Sequence, residues 1–175
     1  FGFLVPDNVE NDDIYLSYRE MRKVMHGDRV LIRIGAQDRK GRREGTVVEV
    51  TERVNQKIVG RLHHDMEFAL VTPSERRISH EVLVTKGSEM NAADGTMVVV
   101  ELTAPPRVKD DSGQYAPPVG KIVEVLGSAS DPGMEIEVAL RKHQLPFRFS
   151  SKAEDQARAY PGIVSEKDRR NRVDL

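Results

Sequence analysis

The chain has 175 residues, of which 38% are hydrophobic and 31% are charged, and its formal net charge is −1. These values fit one ordinary globular domain or two small ones. No stretch approaches the roughly 20 apolar residues of a membrane span, so we expect no membrane partner. The absence of cysteine excludes disulfide scaffolds, thiolate zinc sites and cysteine nucleophiles, and it favours a cytoplasmic location.

Four short strands are predicted in the first part of the chain. Their sequences are FGFLVP from Phe1, DIYLS from Asp13, HGDRVLIRI from His26 and EGTVVEV from Glu44. They are rich in β-branched residues and bounded by Gly, Pro or Asp, as strands usually are. Between residues 19 and 43, nine basic residues stand against three acidic ones. Such a stripe is typical of polyanion binding, but a solvated surface explains it equally well.

The same four elements return in the same order in the second part of the chain. FGFLVP corresponds to FALVTP, DIYLS to EVLVT, HGDRVLIRI to ADGTMVVVEL and EGTVVEV to VGKIVEV. The offset is 67 residues between Phe1 and Phe68, and it grows to 75 between Gly45 and Gly120. The additional residues fall in APPRVKDDSGQYAPP, whose Pro and Asp content predicts a loop. Such a regular repeat predicts two copies of one structural unit.

One further strand, KIVGRL from Lys57, precedes the second set, so the second unit has five strands. Five short strands over about 70 residues, with a longer link between the third and fourth, predict a Greek-key barrel of the oligonucleotide-binding (OB) type. An SH3-like barrel remains an alternative. The first unit shows no counterpart of KIVGRL, and we therefore expect its barrel to be truncated and to lack its first strand.

The last part of the chain has a helical pattern. SDPGMEIEVALRKHQLP predicts a helix with Asp131 as its N-cap and Pro132 in the first position. SSKAEDQARAY predicts a second helix that ends before Pro161, and SEKDRRNRVDL indicates the start of a third. The predicted fold class is mainly β, with two tandem barrels over residues 1–56 and 57–130. A helical segment over 131–175 then leads into a further domain that is absent here.

The first two strands carry aromatic residues with a period of two. If these strands pair, Phe1, Phe3, Tyr15 and Ser17 share one face, and Leu4 points with the other aliphatic side chains to the opposite face. The aliphatic side chains then fill the barrel, and the rings meet solvent beside basic residues. Single-stranded bases stack on such rings with about 1–3 kcal/mol per base. The pattern favours a base-binding platform over the alternative in which the rings are core residues.

FGF and DIYLS resemble the paired ribonucleoprotein motifs of cold-shock domains. The longer succession of FGFLVPD, REMRKVMHGDRVLIRI, IVGRL, VVVELTAPP, PVGKIVEVLG and DPGMEIEVALRKHQLP is similar to the bacterial ribonuclease R family, within the ribonuclease II superfamily. The resemblance covers essentially the whole chain. It implies two N-terminal cold-shock domains and the lead-in to a catalytic domain of a hydrolytic 3′→5′ exoribonuclease that releases nucleoside 5′-monophosphates.

The resemblance also implies where the chemistry lies. The family's catalytic aspartates and their Mg²⁺ belong to a domain that follows the final VDL, so we expect no catalytic residue, cofactor or metal site in this chain. The implied partners are single-stranded RNA and the protein's own catalytic and S1 domains. The acidic pairs Asp12–Asp13 and Asp110–Asp111 are interpreted as turn residues, and His63–His64 as surface residues, rather than metal ligands.

The predicted RNA contacts are the rings and the nearby polar and basic side chains of both units. Phe1, Phe3 and Tyr15 match the stacking positions of the cold-shock motifs. The second unit has Phe68 and two leucines at these positions, so charge and backbone contacts are expected to guide the strand there. The complete predicted set is Phe1, Phe3, Tyr15, Ser17, Arg19, Arg22, Lys23, Arg39, Lys40, Arg42, Arg43, Arg61, Phe68, Arg76, Arg77 and His80.

Two other functions are consistent with the sequence. A stand-alone single-strand binding or chaperone module would have the same barrels, although it has no need of the helices after Asp131. A docking module would place the barrels against a catalytic domain with little RNA contact, and Leu70 and Leu83 favour this role for the second unit. Loss of binding with rising salt separates RNA contact from docking.

Overall fold

The structure, a computed structural model, describes residues 1–8, 12–37, 41–66, 68–109, 114–160, 162–164 and 169–170. The chain divides into two compact units, Phe1–His143 and Gln144–Leu175. Both repeats lie in the first unit. Among the described residues, no helix is long and apolar enough to cross a bilayer.

The first repeat forms an open four-stranded sheet with one short helix. Its elements are β1 (Gly2–Leu4), β2 (Ile14–Leu16), α1 (Tyr18–Met21), β3 (Arg29–Gln37) and β4 (Arg43–Glu52). The strand order is β1-β2-β4-β3, in which β2 and β4 are parallel and the other neighbours are antiparallel. β1 and β3 are therefore the two edges of the sheet.

The second repeat forms a closed five-stranded barrel. Its strands are β5 (Lys57–His64), β6 (Ala69–Pro73), β7 (Val82–Val84), β8 (Thr96–Ala104) and β11 (Val119–Ser128), in the order β11-β7-β6-β5-β8. β5 closes the barrel because it pairs with both β6 and β8. The described part of the first repeat has no counterpart of β5, so its sheet stays open. The prediction of a mainly β chain with OB-type barrels is confirmed.

The stretch that was predicted as a loop contains an additional antiparallel ribbon. β9 (Arg107–Lys109) pairs with β10 (Gln114–Ala116), and Tyr115 lies opposite Val108. The loop prediction was wrong for these two segments, because the surrounding stretch APPRVKDDSGQYAPP has the Pro- and Asp-rich composition of a loop and the first repeat offers no second example of either strand. The residues between them, 110–113, which include Asp110–Asp111, lie outside the described residues.

The glycine near the start of each last strand is required by close packing. Gly45 lies in β4 where this strand runs parallel to β2, and a Cβ at this position would lie 2.9 Å from the Ile14 side chain. Gly120 occupies the matching place in β11 beside β7, and a Cβ there would meet the Val100 side chain. The repeated glycine therefore reflects a steric requirement of the parallel strand pair that both units share.

The two repeats differ in the size of their apolar cores. The interior of the closed barrel holds a continuous buried cluster that includes Leu62 and Val71. The open sheet has a smaller cluster, which includes Leu16 and Val47 and is lined by half-buried neighbours. Met25, which follows α1 in the first repeat, is buried in the core of the closed barrel.

The helix predicted after the barrel begins later than expected. α2 (Met134–Lys142) packs on the barrel through buried Met134, but its N-cap is Gly133, which has a positive φ of 84°. The Asp131 carboxylate instead accepts a hydrogen bond from the Ser128 amide in the preceding turn. Asp131 was predicted to be the N-cap of this helix, but it stabilises the preceding turn instead.

The second predicted helix is confirmed as α3 (Ser151–Ala159). Ser150 is its N-cap, and its hydroxyl accepts a hydrogen bond from the Ala153 amide at 3.3 Å. The third predicted helix start, SEKDRRNRVDL, consists mostly of residues that lie outside the described ones.

Candidate nucleic-acid interface

An aromatic cluster lies on the exposed face of the β1–β2 pair. The register places Phe3 opposite Tyr15, and Leu4 opposite buried Ile14. Phe1 is 74% exposed and Phe3 is 51% exposed. The ring centroids of Phe1, Phe3 and Tyr15 lie 5.9 to 6.0 Å apart. The structure thus places the aliphatic side chains in the core and the three rings, here called the aromatic platform, at the surface.

Basic side chains border the platform at the start of β4. The guanidinium carbon of Arg42 lies 4.4 Å from the ring centroid of Tyr15, which is within cation–π range. Arg43, the next residue, is exposed. Arg39 and Lys40, which were also predicted as RNA contacts, lie outside the described residues. Positive charge beside exposed rings suits a ligand that is both flat and anionic.

The predicted contacts around α1 differ in their surroundings. Ser17 is the half-buried N-cap of α1, and Arg19 is exposed. Lys23 is half-buried and pairs with the carboxylate of Glu20 at 2.7 Å. The same carboxylate accepts a 2.6 Å hydrogen bond from the main-chain amide of Val47. Lys23 is therefore engaged in neutralising a buried carboxylate, whereas Arg19 is open to a phosphate.

Arg22 lies between two tyrosine rings. Its guanidinium carbon is 4.9 Å from the ring centroid of Tyr18 and 5.0 Å from that of Tyr115. Burial raises the pKa of Tyr115, and the charge of Arg22 acts in the opposite direction. Neither tyrosine was among the predicted contacts, because Tyr18 follows the repeated strand and Tyr115 lies in the stretch predicted as a loop. An aromatic residue within an otherwise polar stretch was the signal available for Tyr115.

A groove with a volume of about 670 Å³ lies between the first sheet and the barrel. Phe1 and Arg22 line it from the first repeat, and Arg76, Arg77 and Tyr115 line it from the second. Phe1 belongs to both the platform and the groove, so these two surfaces are continuous. Predicted contacts that are far apart in sequence are thus brought together along one path of rings and positive charges.

The arginines of the β6–β7 loop are exposed but not free of acidic neighbours. Arg77 lies 3.2 Å from Nε2 of His26 and 3.6 Å from the carboxylate of Glu75. Glu75 also pairs with Lys142 at 2.7 Å, and the hydrogen bond from Lys142 is the main cause that lowers the pKa of Glu75. The ionised carboxylate offsets part of the positive charge that the arginines bring to this end of the groove.

His80 lies in the junction between the repeats and not at the surface where it was predicted to contact RNA. Only 6% of the residue is exposed. Its Nε2 lies 2.8 Å from the main-chain oxygen of Val24 and 3.1 Å from that of Met21, and its Nδ1 lies 2.6 Å from the hydroxyl of Tyr115. Both ring nitrogens are therefore occupied inside the protein, which leaves neither for a nucleotide.

Two other predicted contacts of the second repeat do not line the groove. Phe68 is 45% exposed and lines a different depression near Glu89, beside the β5–β6 turn, and Arg61 is exposed on β5. At the positions that match Phe3 and Tyr15, the second repeat has half-buried Leu70 and Leu83, which lie opposite each other. The second repeat therefore has no platform at these positions.

The described residues contain no group of three or more His, Asp or Glu side chains that could hold a metal ion. What the interface offers is stacking surface and positive charge. These are the two interactions that hold single-stranded nucleic acid without base specificity.

Comparisons with known proteins match both repeats. Residues 1–50 match the family model described as Ribonuclease B OB domain, and residues 70–150 match the one described as Cold shock domain. Ribonuclease R of Vibrio cholerae is 35% identical over 99% of this chain, and that of Acidithiobacillus ferrooxidans is 38% identical over 100%. The chain spans 21% and 39% of the lengths of these two relatives.

Solved structures share the fold. The apo form of RNase R from Mycoplasma genitalium has a TM-score of 0.72 and 18% sequence identity, and the match covers 99% of this chain and 27% of that one. The same protein in complex with ribose-methylated single-stranded RNA matches with the same values. At this identity the likeness concerns the fold.

Proposed function

We propose, from the resemblance to the ribonuclease R family and from relatives that match 99% to 100% of this chain, that this chain is the RNA-capturing portion of a 3′→5′ exoribonuclease. In this proposal the chain takes up single-stranded RNA and directs it to a catalytic domain that lies outside the chain and binds Mg²⁺. Its partners are the RNA and the protein's own catalytic and S1 domains. The proposal includes a cytoplasmic location and domain bounds at residues 1–56, 57–130 and 131–175.

The aromatic platform is the observation that carries this proposal. Three rings lie within 6.0 Å of one another, and two of them are more than half exposed. Contiguous exposed apolar surface of this kind usually marks a contact site. Every base offers a π-face, and each stacked base contributes about 1–3 kcal/mol. Arg42, whose guanidinium lies over the ring of Tyr15, adds a cation to the platform that can pair with the phosphate of a stacked nucleotide.

The geometry supports a simple order of events. Exposed Arg19 and Arg43 attract the phosphate backbone, with an affinity that falls as salt rises. Unpaired bases then stack on Phe3 and its neighbouring rings, which selects single strands because the bases of a duplex are already stacked on one another. From Phe1 the strand continues into the arginine-lined groove.

The relatives support the chemical class of the ligand. The proteins with similar sequences are ribonucleases by name, and Mycoplasma genitalium RNase R has been solved with single-stranded RNA bound. The described side chains fit that ligand, since they combine stacking surface with positive charge.

The test is fluorescence anisotropy of a labelled single-stranded RNA titrated with this chain and with the double variant Phe3→Ala/Tyr15→Ala. We expect the double variant to bind at least about thirtyfold more weakly, since two lost stacking contacts together remove at least about 2 kcal/mol. Phe68→Ala is the matched control, because it removes a half-exposed ring that does not line the groove. Equal affinity of the double variant and the parent chain contradicts the proposal.

The same titration at two salt concentrations, with Mg²⁺ present, separates binding from catalysis. We expect weaker binding at higher salt, because cations released from the RNA backbone drive association. The RNA recovered from each sample is then run on a gel, where we expect it to be intact. Shortened RNA, in a preparation free of contaminating nuclease, would contradict the placement of the catalytic residues outside this chain.

A docking role for the second barrel is the second candidate. It is favoured by half-buried Leu70 and Leu83, which stand where the first repeat has rings. Apolar side chains without a stacking surface suit contact with another protein domain. If this role is correct, Arg61→Ala and Arg76→Ala leave RNA affinity unchanged, while the platform variant still weakens it.

A further inference from the structure

His80 spans the two repeats with hydrogen bonds. It precedes β7 of the barrel, but Nε2 lies 2.8 Å from the carbonyl oxygen of Val24 and 3.1 Å from that of Met21, both in the first repeat. Carbonyl oxygens only accept hydrogen bonds, so Nε2 is the donor in both. Because only 6% of the residue is exposed, both bonds are made inside the junction, and opening the junction breaks them.

The ribbon that lengthens the second repeat completes the junction. The hydroxyl of Tyr115 in β10 lies 2.6 Å from Nδ1 of His80, and the two rings stack with centroids 5.8 Å apart and 24° between their planes. The guanidinium of Arg22, from the first repeat, lies 5.0 Å from the centroid of the Tyr115 ring. A segment that has no counterpart in the first repeat thus supplies the ring that ties the repeats together.

Two further contacts cross the same junction. Met25 of the first repeat is buried in the core of the barrel. Arg77 of the barrel lies 3.2 Å from Nε2 of His26 in the first repeat. Polar and apolar contacts therefore converge on residues 21–26, and the barrel cannot rotate about this segment without losing several of them together.

We propose that His80 and Tyr115 form an interbarrel clamp, which holds the aromatic platform and the arginine-lined groove at one fixed angle so that a long single strand contacts both. His80 is a positioning residue, since both of its ring nitrogens are bonded inside the protein. Tyr115 also lines the groove, and it contributes to the clamp through the hydroxyl that bonds Nδ1 of His80. The fixed angle follows from the contacts across the junction. The alignment for a strand rests on the proposed function.

The clamp has a measurable consequence for strands of different length. When one strand occupies two surfaces, the second contact is intramolecular, and its strength depends on how well the surfaces are aligned. A short oligonucleotide that occupies the platform alone is insensitive to that alignment. Loosening the clamp should therefore weaken the binding of long strands and spare the binding of short ones.

The angle itself is tested by a distance measurement. Because the chain has no cysteine, Val48→Cys in β4 and Val125→Cys in β11, both at exposed positions, give two unique spin-label sites. Pulsed electron paramagnetic resonance should give one narrow distance distribution, which broadens with His80→Ala or Tyr115→Phe. Tyr160→Phe, at an exposed tyrosine, is the matched control. Circular dichroism checks folding, and Tyr115→Phe keeps the aromatic ring, so the test stands if His80→Ala does not fold.

The alignment is tested with labelled oligouridylates of about 5 and about 15 nucleotides, which fall within the range of site sizes of OB-type barrels. For His80→Ala and Tyr115→Phe we expect about a tenfold loss of affinity for the long strand and less than about twofold for the short one. His80→Gln retains a side-chain donor and should restore part of the loss.

Unchanged distance distributions in both variants overturn the clamp. Equal losses of affinity for the two strand lengths overturn it as well, and so does a broadened distribution with full affinity for the long strand. If the parent chain binds neither oligonucleotide, the proposed function fails, and the distance measurement alone decides the clamp. In that case broadening supports the clamp and an unchanged distribution overturns it.

Discussion

The two repeats are built from corresponding strands but expose different surfaces. At matching outward positions the first has Phe3 and Tyr15, which are part of an exposed platform, and the second has half-buried Leu70 and Leu83. At inward positions both have aliphatic residues, and both have a glycine where the last strand pairs in parallel with its neighbour. The comparison teaches that the inward pattern is set by packing, which is common to both units, whereas the outward pattern is free to differ with the contact that each unit makes.

The repeats also satisfy one matching main-chain group in different ways. The amide of Val47 donates to the Glu20 carboxylate at 2.6 Å, whereas the amide of Ile122, which matches it two residues after the repeated glycine, donates to the main-chain oxygen of Ser88 at 3.1 Å. The open sheet therefore depends on the identity of one buried side chain. The closed barrel meets the same requirement with backbone alone.

The largest expected difference between the repeats concerns their cores. Leu62→Ala empties a fully buried place in the closed barrel, and we expect it to lower the free energy of unfolding by about 4 kcal/mol. Leu16→Ala lies in the smaller cluster of the open sheet, where half-buried neighbours can close the space, and we expect a loss of about 2 kcal/mol. Urea denaturation measures both. Equal losses would show that the open sheet is packed as rigidly as the barrel.

The buried carboxylate of the first repeat should give the next largest effect. Glu20→Ala leaves the Val47 amide and Lys23 without their partner, and we expect a loss of about 1–3 kcal/mol of unfolding free energy. Hydrogen exchange should accelerate at Val47 but not at Ile122, whose acceptor is a main-chain oxygen. Lys23→Ala is the control. We expect a smaller effect, because the hydrogen bond from the Val47 amide to the Glu20 carboxylate remains. Unchanged exchange at Val47 would contradict this role of Glu20.

The difference between the outward faces can be reversed by grafting. Leu70→Phe with Leu83→Tyr places two rings opposite each other on β6 and β7, as Phe3 and Tyr15 are on β1 and β2. We expect affinity for single-stranded RNA to rise about fivefold, which corresponds to about 1 kcal/mol, the lower end of one stacking contact. Anisotropy measures the gain, and the urea midpoint verifies that the barrel is intact. An unchanged affinity in a folded variant would indicate that the strand does not reach this face.

The smallest expected effect is a difference in the salt dependence of RNA affinity between an arginine variant of the first repeat and one of the second. Arg43→Ala removes an exposed cation that is next to Arg42 in the chain, and we expect the slope of log affinity against log salt to become shallower by about 0.7, as for one lost phosphate contact on a single strand. Arg61→Ala, at an exposed position on β5 that does not line the groove, should leave the slope unchanged. A larger change for Arg61→Ala than for Arg43→Ala would move the phosphate path from the first repeat to the second.

Much of the fold was predictable because it depends on local patterns that repeat. The strands of both units are short β-branched runs between turn residues, and the internal repeat supports each assignment with a second example. The shared face of Phe3 and Tyr15 follows from the two-residue period of a strand, whichever barrel the strand joins. The predicted start of α2 was wrong. An Asp side chain before a helix can accept a hydrogen bond from the helix N-terminus or from a neighbouring turn, and the Asp131 carboxylate accepts one from the Ser128 amide in the turn.

The sequence by itself determined the strands, their inward and outward faces and the family resemblance. Each of these depends on residue types and on their spacing along the chain, which the sequence contains directly. Only the tertiary structure decided that Phe1 also lines the groove, that Tyr115 belongs to the β9–β10 ribbon and that His80 is buried. The two carbonyl partners of His80 lie 56 and 59 residues earlier in the chain, in a different repeat. Burial at a junction is a property of two segments together, and no pattern within either segment records it.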